Sequence, residues 1–113
     1  MKSYMKYYND DVRVITGHYP NGRIALSLID YNDGTPVATA TINVPELPLR
    51  PSRVFIKDYS ENEGVLTTLV EAGIVRPIEY MRVGYTTMSM CLIIDDCIHT
   101  RANELRDMGL ITQ

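Results

Sequence analysis

The chain has no tryptophan, a single phenylalanine, two cysteines and two histidines among 113 residues. Two cysteines are too few for a secreted disulfide framework, so reduced thiols in a cytosolic protein are expected. Nor are there paired close Cys/His spacings. Cys91 and Cys97, with His99 nearby, supply no second ligand pair for structural zinc, and no metal or cofactor is expected. Cys97 and His99 stand two apart, so their side chains diverge on a helix and no nucleophile pair forms. Long apolar runs are also missing. The longest, Met90 to Ile94, is far short of the roughly 20 residues of a membrane span, and MKSYMKYYNDD has no apolar signal core. The expected location is the cytoplasm, away from membranes.

Basic runs are absent too. Eleven Lys and Arg face fourteen Asp and Glu, for a formal net charge of −3, and the arginines are scattered singly. Binding through nucleic-acid phosphates draws on a basic patch, so nucleic acid is not an expected partner. The acidic excess is too small to imitate DNA.

What is present is the mixture of an ordinary globular protein: 45% hydrophobic and 22% charged residues. No repeat, linker or low-complexity tract divides it, so residues 1–113 are read as one domain. The first half alternates with the period of strands. Val12, Val14 and Thr16 share one side. Ile24, Leu26 and Leu28 do the same after the Asn21-Gly22 turn, and Val37 to Val44 follows the Asp33-Gly34 turn. Ser3 to Tyr8 reads as a further strand paired with Val12 to Gly17. Pro45, Pro48 and Pro51 exclude helix and central strand from 45–52, which becomes a crossover anchored by Leu47 and Leu49. Arg53 to Asp58 reads as a short strand with Val54 and Ile56 inward, and Met81 to Ile94 as a strand region interrupted near Gly84.

Ser60-Glu61-Asn62-Glu63 has the form of a capping box opening a helix over 61–72, which Gly73 closes. This reading sends the Asn62 side chain to solvent. Gly64 in the first turn asks for a reason, since glycine there destabilises a helix. Asp95 or Asp96 caps a second helix ending at Gly109. The expected fold is α+β: an antiparallel meander of four to six strands, one capped helix on a face, and a C-terminal helix.

Adjacent acids at Asp10-Asp11 and Asp95-Asp96, and the group Asp58, Glu61 and Glu63, are accounted for by turns and caps, so no catalytic residue is assigned. Tyr59, Asn62 and Glu63, at the start of the first helix, are the candidate partner-binding residues, Tyr59 and Asn62 being those that capping does not use. Eight tyrosines, with Tyr4, Tyr7 and Tyr8 together, suit either a protein interface or a half-exposed sheet face.

The stretch Val54-Phe55-Ile56-Lys57-Asp58-Tyr59-Ser60-Glu61-Asn62-Glu63-Gly64-Val65-Leu66, running on to Glu71-Ala72-Gly73-Ile74-Val75, resembles the signature of a small uncharacterised family of phages and conjugative elements of gut and other low-GC bacteria. Asn21 to Leu26 and Ala38 to Pro45 are similar as well. The resemblance spans residues 12 to 85 and stops short of the second helix. It implies a context and no activity: accessory genes of mobile elements, whose small acidic products often bind and block a host factor. The expected function is a non-enzymatic binding protein with a protein partner, an inhibitor of a host defence or regulatory protein, and a homodimer is compatible with it. The alternative is a small-ligand binder or small enzyme whose site forms on folding or dimerisation.

Overall fold

The computed structural model describes residues 5–113. The alternating first half forms an antiparallel meander of β1 (Met5–Tyr7), β2 (Asp10–His18), β3 (Ile24–Asp30) and β4 (Pro36–Thr39), in that spatial order. The expected inward rows are the observed ones: Val12, Ile24, Leu26 and Leu28 are buried, while Arg13 and Ile15 face out. The first hairpin is tighter than the sequence suggests. Tyr7 pairs with Asp10, so Tyr8 and Asn9 alone turn the chain, with Tyr8 at φ +56°. The proposed strand residues Ser3 and Tyr4 lie outside the described residues.

A second sheet follows. It has β5 (Arg53–Ile56), β6 (Val75–Val83) and β7 (Thr86–Ile93), in the order β5-β7-β6, all antiparallel. The class is α+β as expected; the meander occupies the first sheet, and the remaining strands form their own. Ala40–Ile42 join the two. Ala40 N–H donates to the Leu26 carbonyl, Ile42 N–H to the Phe55 carbonyl, and Lys57 N–H to the Ala40 carbonyl. The strand expected over 37–44 therefore ends as β4 at Thr39 and continues as this seam. Thr41 is buried in it, with Oγ1 accepting from Leu26 N–H at 3.1 Å and lying 2.8 Å from the Tyr19 hydroxyl.

The helix α1 (Val65–Glu71) touches both β1 and β6, and α2 (Asp96–Asp107) packs on β2. Both end as read. Gly73 at φ +74° and Gly109 at φ +79° close them, with Ile74 N–H reaching the Leu69 carbonyl and Leu110 N–H the Leu105 carbonyl. Asp95 caps α2, its carboxylate accepting from Ile98 N–H at 3.0 Å. One apolar cluster joins both sheets and both helices, from Val12 and Leu26 through Val54 and Ile56 to Leu69, Ile98 and Leu105. Phe55 points the other way. With Val44 and Met88 it makes a second cluster, roofed by Leu47 and Leu49 of the proline-rich connection. Those two leucines anchor the crossover, and they do so over a sheet face.

Candidate functional site

The segment 57–64 is built differently from a capping box. Ser60–Asn62 form a single 3₁₀ turn, Ser60 has φ +54°, and no side chain caps that turn. α1 starts only at Val65, preceded by Gly64 at φ +91°. The acceptor at its start is Asp58: Oδ1 receives Gly64 N–H at 3.1 Å and Leu66 N–H at 2.9 Å. The Ser60–Glu63 capping box is thus corrected. A residue six positions before Gly64 outcompetes it because the 3₁₀ turn folds Asp58 back over the helix start. Gly64 has its reason as well: a left-handed conformation that L side chains resist.

Asn62 is corrected more sharply. Its residue is 3% exposed and its Nδ2 donates to the Thr39 carbonyl oxygen at 2.6 Å. Glu63 offers its backbone: the carbonyl accepts from the Tyr8 hydroxyl at 2.9 Å and lies 3.1 Å from the Tyr7 hydroxyl, which is equally close to the Glu61 carbonyl. The Tyr7 and Tyr8 rings meet edge to face, with centroids 4.8 Å apart. The tyrosine crowding at the N-terminus therefore latches β1 onto the segment, and Tyr7 is buried. Burial raises the Tyr7 phenol above its ordinary pKa, and the neighbouring Tyr8, Asp58, Glu61 and Glu63 add to the rise. Tyr59 is half-buried beneath Lys57, whose ammonium sits 5.4 Å from the ring centroid. Lys57 also pairs with Glu61. That hydrogen bond raises the lysine pKa and lowers the Glu61 pKa.

Beside this segment lies a groove of about 410 Å³. Val37, Ala38 and Ile42 supply apolar surface, and Thr39, Asn43, Lys57, Glu61 and Asn62 bring polar groups, together with the hydrogen-bonded pair Tyr19 and Thr41. It exists because the chain leaves one sheet for the other at Ala40–Ile42 while the 3₁₀ turn stands against the β4 edge. Of the three predicted binding residues, Asn62 alone lines it; Tyr59 and Glu63 support the turn behind. Thr39, Asn43 and Tyr19 carry no local signal for such a role, since only the seam brings them together.

The cysteines stand apart. Cys91 is buried on β7, where burial raises its thiol pKa, and Cys97 is exposed on α2. His99 lies 2.7 Å through Nε2 from the Ile93 carbonyl oxygen. Among the described residues no group of three His, Cys, Asp or Glu side chains could hold a metal ion, and no helix is long and apolar enough to cross a membrane.

Comparison of the chain with protein-family models, with curated proteins and with solved structures finds no match.

Proposed function

We propose that this is a non-enzymatic binding protein that receives a projecting segment of a protein partner in the groove at the sheet seam. The observation that carries the reading is the make-up of that groove: apolar Val37, Ala38 and Ile42 stand among a majority of hydrogen-bonding side chains, in a groove open to solvent. Apolar contact mixed with about one hydrogen bond per 100–200 Å² is the anatomy of protein interfaces. Small-molecule sites bury most of their ligand, which an open groove does not. The resemblance to proteins of phages and conjugative elements supports the rest of the reading: an accessory protein of a mobile element, acting in the cytoplasm by occupying and so blocking a host defence or regulatory protein.

Thr39→Arg tests this. Thr39 is exposed on the groove wall, so a long side chain there fills the groove without entering the core. The tagged protein and the variant are used side by side to capture partners from host lysate, read by quantitative mass spectrometry. The expected result is a protein retained by the parent and depleted at least about tenfold with the variant, the loss of roughly 1.4 kcal/mol of binding. A protein captured equally by both overturns the groove as the site. Capture of nothing above control overturns the binding function.

A further inference from the structure

We infer that the outer edge of β6 is a homodimer interface, at which two copies pair antiparallel about Met81 and extend the three-stranded sheet into one of six. The strand has β7 on one side and no strand on the other among the described residues. Its backbone orientation follows from the hairpin. Val83 and Thr86 flank the two-residue loop Gly84-Tyr85, and the closing pair of such a hairpin is hydrogen-bonded. Alternation then turns the peptide groups of Tyr80 and Arg82 outward. Pro77 agrees with this assignment, for it falls at an outward position where its missing N–H breaks no bond to β7. The bulge at Ile78 and Pro77 blunt the first half of the edge and leave 79–83 open.

A second copy fits this edge because the edge is self-complementary. With the dyad at Met81, Tyr80 of one copy faces Arg82 of the other. The two residues exchange both backbone hydrogen bonds, and symmetry repeats the exchange. Each guanidinium then lies against a tyrosine ring, a cation–π pair. Glu79 falls opposite Val83. Beyond the paired stretch, Tyr85 reaches the level of Pro77 and Ile78 of the other copy. The large apolar residues exposed along this hairpin are Ile78 at 42%, Tyr80 at 68% and Tyr85 at 100%, and this single arrangement covers all three. Neighbouring registers fail. A dyad at Glu79 sets carboxylate against carboxylate, one at Arg82 sets guanidinium against guanidinium, and one at Tyr80 runs Arg82 into the bulge. Intermediate registers put facing side chains on opposite faces of the sheet.

The β6 edge shares no residue with the groove. Sedimentation velocity from about 1 µM to about 1 mM spans the affinities that a small interface reaches. The expected result is a shift from 12.8 kDa toward twice that mass. Arg82→Pro removes an outward N–H and leaves the ladder to β7 whole, so it should stay monomeric with an unchanged far-ultraviolet spectrum. Tyr80→Ala should weaken association about tenfold through two lost cation–π pairs. The register is read by cross-linking in a Cys97→Ser background. Met81→Cys should form an intermolecular disulfide, because facing non-hydrogen-bonded residues stand about 4.5 Å apart at Cα, within disulfide range. Glu79→Cys should not. A monomer at every concentration overturns the inference, as does a dimer that links through Glu79→Cys and not through Met81→Cys.

Discussion

The Asn62 side-chain amide and the Thr39 carbonyl oxygen are joined at 2.6 Å across the gap between the 3₁₀ turn and the edge of β4. The bond satisfies an outward-facing carbonyl on an edge strand and holds the turn in place from a buried position. Asn62→Ala should therefore lower unfolding free energy by about 1–2 kcal/mol, the usual cost of a lost hydrogen bond with its partner left in place. Asn62→Asp should be worse, since a carboxylate would face a carbonyl. Urea titration measures both; an unchanged midpoint for Asn62→Ala would show that the contact is idle.

Asp58 and Ser60 give a paired prediction. Asp58→Ala strips the acceptor from Gly64 and Leu66 N–H and should cost about 1–2 kcal/mol. Ser60→Ala removes no cap and should stay within about 0.5 kcal/mol. A reversed order in thermal melts would restore the capping box.

At Gly64 a Cβ would meet only ordinary contacts, Tyr7 at 3.8 Å and the Tyr8 hydroxyl at 3.9 Å, but φ is +91°. Gly64→Ala should destabilise by about 1–2 kcal/mol through backbone strain alone. A more stable variant would mean that the backbone relaxes there.

Tyr7 sets an alkaline limit. Its folded pKa is raised above the ordinary phenol value of 10.0, so the phenol stays protonated in the folded state where the unfolded chain ionises. Its contribution is complete below pH 10.0 and is lost as pH rises through the folded pKa. Tyr7→Phe should lose about 1 kcal/mol at neutral pH with the bonds to Glu61 and Glu63, and should show a shallower decline above pH 10.0. Denaturant midpoints at pH 7 to 11 read both; an equal alkaline slope in the two proteins would place the titration elsewhere.

Gln113 bridges the sheets through its carboxamide. Nε2 donates to the Arg50 and Arg53 carbonyls, and Oε1 accepts from Ile24 N–H at 2.8 Å. Gln113→Ala should cost about 1–3 kcal/mol, and Gln113→Glu at least as much, because both donors are lost. Calorimetry giving an unchanged melting temperature for the alanine variant would contradict the bridge.

What the sequence shows and what it hides divide along the range of the interactions. Gly73 and Gly109 are legible because a helix end is settled within about six residues. The rows Val12-Val14 and Ile24-Leu26-Leu28 are legible because alternation needs only a buried face. The α1 start is misread because Ser60-x-x-Glu63 and Asp58 both offer a cap, and the choice rests on a turn stabilised from elsewhere. Tyr7 and Tyr8 hold Glu63 from more than fifty residues away, and Thr39 holds Asn62. Phe55 is similar. On a strand with Val54 and Ile56 inward it reads as an outward residue, until the proline-rich connection lays Leu47 and Leu49 over it. The groove is hidden for the same reason, being a product of the seam.

Thr41 gives that seam a consequence for unfolding. Its hydroxyl is bound to Leu26 N–H of the first sheet, its residue bridges Ile56 of the second, and Ile42 N–H beside it bonds Phe55. Strands that meet only through side-chain packing can come apart one sheet at a time. Here Ala40, Thr41 and Ile42 together hold both β3 and β5, so neither strand can leave the seam without loosening the other. Amide exchange in β3 and β5 should accordingly proceed through one shared cooperative opening, although the chain places those strands far apart.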